Sequence, residues 1–86
     1  MAGKKSKFEL KIVENVKIIR KSLSKPQTYI GMILDVSDGY IGQIESEKWP
    51  AMYTLDQLNK IALDFNCSPK DFMPIEGVVE GDSIEN

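Results

Sequence analysis

The side chains of this sequence that could do chemistry are amides, hydroxyls, carboxylates and ammonium groups. Their types suit recognition better than catalysis. There is no His and only one Cys, Cys67. Thiolate–imidazole and Ser–His nucleophiles therefore cannot be assembled, and neither can most zinc sites. The six Gly form neither GxGxxG nor GxxxxGK, so no phosphate-cradling loop of those kinds is present. The carboxylates are scattered over what read as helix surfaces. We expect no enzyme, no cofactor and no metal. Cys67 reads as a small, half-buried apolar residue and allows no intrachain disulfide.

The elements that would position any recognizing side chain are helical. Ile12, Val16, Ile19 and Leu23 recur at spacings of four, three and four, one face of an α-helix expected over about Phe8–Ser22. Pro26 suits a helix start, because its missing N–H is an orphan there anyway. A second helix is expected over Pro26–Leu34, burying Ile30, Ile33 and Leu34. Asp35 stands where a helix often ends in the left-handed conformation, Val36 is an apolar plug, and Ser37 reads as an N-cap. A third helix is expected over Asp38–Ser46, with Ile41 and Ile44 inward.

Ser46 to Tyr53 is a connecting loop with Pro50, and its Trp49, Met52 and Tyr53 either cover the core or offer a dimer or partner surface. Thr54-Leu-Asp-Gln57 is a capping box opening a fourth helix, with Leu55, Leu58, Ile61, Ala62 and Phe65 as its apolar stripe and Asn66 as a left-handed end. Ser68-Pro69 is a second N-cap signature for a short fifth helix ending before Pro74. The expected organization is a flexible basic tail over 1–7, one helical domain over 8–74 and a loose acidic tail over 75–86.

Charge is unevenly placed. The net charge is −2, yet residues 1–25 carry eight Lys/Arg against two Glu, and residues 26–86 three Lys against eleven Asp/Glu. The basic start could meet a polyanion, or could be a solubilizing tail and a solvated helix face. No apolar run approaches the roughly 18 residues of a membrane span, and no signal peptide is evident, so a cytoplasmic protein is expected.

The informative unit is Gln27–Glu45, QTYIGMILDVSDGYIGQIE. It reads as two short helices joined by a turn of three or four residues, with Gly31 where the first helix passes close to the second. That is the plan of a DNA-binding helix-turn-helix. Together with Val16-Lys17-Ile-Ile-Arg20, Thr54-Leu55-Asp-Gln-Leu58-Asn-Lys-Ile61-Ala62 and Cys67-Ser68-Pro-Lys-Asp-Phe72, it resembles the phage repressor/Cro-like (XRE-type) helix-turn-helix DNA-binding proteins over about residues 12–73.

The resemblance implies an all-α, five-helix, lambda-repressor-like domain that regulates transcription, repressor-like, as a homodimer on double-stranded DNA, in a bacterial cytoplasm. It places the helix from Asp38 in the major groove. Asp38, Gly39, Tyr40 and Gln43 would then lie nearest the DNA, with Gln27, Thr28, Ser37 and Lys48 completing the contact set. Arg20 and Glu45 match the family's structural ion pair. Gln43 can offer an adenine edge paired hydrogen bonds, or can be plain surface polarity. Tyr40 can meet a thymine methyl or a phosphate, or pack partly into the core. Gly39 and Gly42 can allow close backbone approach, or can be drift.

The chain also departs from the family. From Pro26 to Glu47 there is no Lys or Arg, while Asp35, Asp38, Glu45 and Glu47 are present. Since DNA affinity is largely phosphate neutralization, lysines elsewhere or a second subunit must compensate. Otherwise the fold serves as a protein-interaction module such as an antitoxin or adaptor. Pro26 stands in place of the usual Ser and Asp35 in place of the usual Gly.

Overall fold

The computed structural model describes residues 4–81; residues 1–3 of the expected N-terminal tail and 82–86 of the acidic tail lie outside them. The chain forms α1 (Lys7–Ser22), α2 (Gln27–Leu34), α3 (Asp38–Ile44) and α4 (Leu55–Phe65), followed by one 3₁₀ turn over Pro69–Phe72. Among the described residues there is no strand, and no helix is long and apolar enough to cross a membrane.

Each start has a local cause. At α1 the Ser6 hydroxyl accepts from the Glu9 N–H at 3.0 Å, and the Glu9 carboxylate accepts from the Ser6 N–H at 2.9 Å. This reciprocal box starts the helix one residue ahead of the expected Phe8. Thr54 and Gln57 do the same at α4, and the Ser37 hydroxyl accepts from the Tyr40 N–H at α3. Pro26 is the N-cap of α2 rather than its first residue, and it supplies no side-chain cap.

Three ends share one geometry. Ser24, Asp35 and Asn66 each adopt a left-handed backbone with φ of 57–58°. The following N–H then reaches back to a carbonyl five residues earlier: Lys25 to Arg20, Val36 to Gly31, and Cys67 to Ala62. Those bonds satisfy carbonyls that the helix ends leave orphaned.

Two expectations need correction. The described residues form four α-helices and not five. The expected fifth is a single 3₁₀ turn, because Met73 precedes Pro74 and is extended (φ −86°, ψ 146°), as residues before proline are sterically driven to be. The third helix stops at Ile44 and not Ser46, with Glu45 at its end at ψ −3°.

The core is continuous. Val16, Ile30, Ile41, Ile44, Ile61 and Phe72 are fully buried, and Ile12, Val13, Leu34, Tyr53, Leu58, Ala62 and Phe65 close around them. Each of the Val, Leu, Ile and Phe side chains stabilizes the fold by about 1.5–3 kcal/mol relative to exposure. The last described residues close onto the start of α1. The Glu80 carboxylate accepts from the Lys7 and Phe8 N–H groups at 2.8 and 3.0 Å, so an anion caps the positive end of the helix.

Gly31 is where α2 meets the turn into α3. A Cβ there would lie 3.0 Å from the Val36 carbonyl oxygen and 3.1 Å from a carboxylate oxygen of Asp38, whereas at Gly42 nothing lies within 4 Å. Alanine adds up to about 1 kcal/mol of helix propensity at either site. Only at Gly31 must backbone move to admit it, which costs about 1–3 kcal/mol. Gly42→Ala is expected to raise the unfolding free energy by about 0.5–1 kcal/mol, and Gly31→Ala to lower it. Thermal unfolding of the two variants checks this, and equal shifts of one sign would refute it.

Candidate nucleic-acid interface

The candidate residues fall into three groups. The first is an exposed edge at the start of α3. Ser37, Asp38, Gly39 and Tyr40 are all exposed, and Thr28 at the start of α2 is exposed as well. The Ser37 hydroxyl is held at 3.1 Å by the Tyr40 N–H, which fixes the angle at which α3 leaves the turn. Gly39 and Gly42 have open space where a side chain would stand, so packing within the protein requires neither glycine. Gln43 follows one turn after Tyr40 and is half-buried. The acidic group nearest this edge is Asp38, with a carboxylate oxygen against Gly31.

The second group is buried and joins three helices. Arg20 of α1 and Glu45 at the end of α3 meet at 3.4 Å, with both side chains 7% exposed. Gln27 of α2 donates its amide to the same Glu45 oxygen at 3.0 Å. Arg20 also donates to the Lys25 carbonyl at 2.9 Å, tying the α1–α2 turn into the network. Gln27 is therefore a structural strut through its amide nitrogen, whatever else it touches. The other Glu45 oxygen, the Arg20 Nε and the Tyr53 hydroxyl are buried with no partner among the described residues. Burial first, then the nearby Glu45 charge, pushes the Tyr53 hydroxyl far above the ordinary tyrosine range, with Arg20 opposing. It stays protonated at neutral pH.

The third is Lys48, alone on the α3–α4 loop. Its own N–H is held by the Ser46 hydroxyl at 3.1 Å, and it shares no hydrogen bond or ion pair with the other candidates among the described residues.

One group was missed by sequence reasoning. Lys5, expected within a flexible tail, is 6% exposed. Its ammonium sits among the carbonyls of Gln43, Ser46, Trp49 and Ala51 at 2.6–3.2 Å. Burial lowers its proton affinity below the ordinary lysine value, and the nearby Glu9 charge opposes this only in part. The only sequence signal at hand was the Ser6-Lys-Phe-Glu9 box, which orders the chain right beside Lys5.

Among the described residues there is no group of three or more His, Cys, Asp or Glu side chains placed to hold a metal ion. Comparison with known proteins gives no match: no family model, no curated protein and no solved structure matches this chain.

Proposed function

We propose that α2, the Asp35–Ser37 turn and α3 act as a helix-turn-helix, and that this chain is a sequence-specific DNA-binding regulator of transcription. One observation carries the reading. Two short helices are joined by a three-residue turn whose tight packing depends on Gly31, and they leave the Ser37–Tyr40 edge of α3 outward while Ile41 and Ile44 anchor its other face. A recognition helix needs that division of faces. Gln43 then offers an amide for an adenine edge, Tyr40 and Ser37 offer hydroxyls for phosphate or base, and Thr28 and Lys48 flank them. The Arg20–Glu45–Gln27 network ties α1, α2 and the end of α3 together, and Gln27, half-buried at the start of α2, is also placed for a contact with the DNA backbone. A homodimer would read a palindrome with half-sites about one helical turn, roughly 10 bp, apart.

Selection from random duplex DNA at near-physiological salt tests the proposal. The expected result is a palindromic motif in which Gln43→Ala relaxes one position per half-site, a loss of about 1–3 kcal/mol of discrimination. Folded protein that enriches nothing would overturn it.

The second reading is a protein-interaction module such as an antitoxin or adaptor. It is favored by the absence of Lys and Arg from Pro26 to Glu47 and by apolar side chains left outward on α2 and α4, Met32 at 67% and Leu63 at 74% exposed. Failure of the DNA selection would favor it.

A further inference from the structure

The Lys5 ammonium occupies a site that has more acceptors than it has protons. A lysine carries three N–H donors, and here four carbonyl oxygens stand around it: Trp49 at 2.6 Å, Ser46 at 2.7 Å, Ala51 at 3.0 Å and Gln43 at 3.2 Å. No carboxylate forms an ion pair with it among the described residues. The compensation for burying this charge therefore comes from carbonyl dipoles, the same coordination by which backbone carbonyls replace the hydration shell of a monovalent cation. Gln43 and Ser46 lie at the C-terminal end of α3, where unsatisfied carbonyls concentrate negative potential.

The far end of the loop is held by packing, with Ala51 and Met52 against the core and Tyr53 within it, but its 46–50 stretch has few hydrogen bonds. Among the described residues its own backbone N–H bonds are Ser46 to the Gln43 carbonyl and Lys48 to the Ser46 hydroxyl. The ammonium reaches 38 to 46 residues along the chain to gather the other carbonyls.

We propose that the carbonyls of Gln43, Ser46, Trp49 and Ala51 form a binding site for one ammonium-sized monovalent cation, filled by the Lys5 side chain as a tethered ligand, and that the site accepts free ammonium or potassium when that side chain is withdrawn. Occupancy sets the order of the loop carrying Lys48 and Trp49 at the end of α3. The proposal does not depend on DNA reading.

The test uses the full chain with Lys5→Gly, which removes the ligand and leaves room for an ion. Backbone order parameters of residues 46–51 are measured by nitrogen-15 relaxation in chloride salts of lithium, potassium, ammonium and tetramethylammonium at one ionic strength. The unaltered protein is expected to be rigid in all four, at about 0.85, and Lys5→Gly to fall below about 0.6 in lithium and tetramethylammonium. Ammonium and potassium are expected to restore the rigid value saturably. Should the variant unfold in lithium, refolding by ammonium but not by tetramethylammonium supports the proposal. An unchanged loop, equal rescue by every salt, or no rescue by any salt overturns it. In the unaltered protein, scalar couplings from the Lys5 ammonium nitrogen to the four carbonyl carbons are expected, and their absence would also overturn it.

Discussion

Glu45→Ala is expected to lower the unfolding free energy by about 3–5 kcal/mol, the cost of leaving a buried charge without its partner. Arg20 cannot easily turn to water, since its side chain is 7% exposed and one nitrogen is already held by the Lys25 carbonyl. Gln27 loses its acceptor in the same stroke. A domain of this size has about 5–15 kcal/mol in total, so the variant stands near the edge of folding. The pair itself adds little net stability. Its contact is long at 3.4 Å, and one oxygen of Glu45 and the Nε of Arg20 are unpartnered. Replacing both residues together, Arg20→Met with Glu45→Leu, is therefore expected to recover most of the loss, because apolar replacements of buried pairs are often neutral or stabilizing. Urea denaturation of the two singles and the double decides this. A double variant weaker than either single would mean that the pair is a net source of stability, and a Glu45→Ala loss below about 1 kcal/mol would mean that solvent screens it.

What was readable in the sequence was local. The capping box at Thr54, the Ser37 cap, the left-handed Asp35 and Asn66, and the inward Ile41 and Ile44 all follow from chemistry within a few residues. Gly31 was readable as well, because a helix-breaking residue in an apolar helix asks for a packing reason, and the Val36 carbonyl supplies it. What escaped reading was contact between distant side chains and backbone atoms. Lys5 meets four carbonyls, Glu80 meets two N–H groups at the start of α1, and Asn15 donates to the Phe72 carbonyl. Every residue has a carbonyl and nearly every one an N–H, so such partners leave no pattern of residue types. The basic arm therefore looked like a charged tail even though one of its ammonium groups is as buried as much of the core. The local charge of the segment from Pro26 to Glu47 was visible but not its disposition: the structure turns Glu45 inward onto Arg20, while Asp38 stays exposed beside Gly31.

Phe72→Ala is expected to cost about 3–5 kcal/mol, as for other fully buried aromatics, although Phe72 sits in the shortest element of the fold. A four-residue 3₁₀ turn has almost no stability of its own. Ser68 and Asp71 exchange hydrogen bonds with its backbone, but these are exposed and weak. What holds the turn is Phe72, buried completely between α1 and α4, and the Asn15 amide on its carbonyl at 2.9 Å. The dependence runs both ways, since the same ring is what joins the two longest helices at this end of the molecule. Removing it leaves a cavity between α1 and α4, which both pack on this turn. Phe72→Leu retains most of the volume and is expected to cost less than about 1.5 kcal/mol, while Lys70→Ala on the exposed side of the turn should stay within about 0.5 kcal/mol. The order of the three in chemical denaturation is the check. If Phe72→Ala fell near Lys70→Ala, the turn would be an appendage, and the folded unit would end at Asn66.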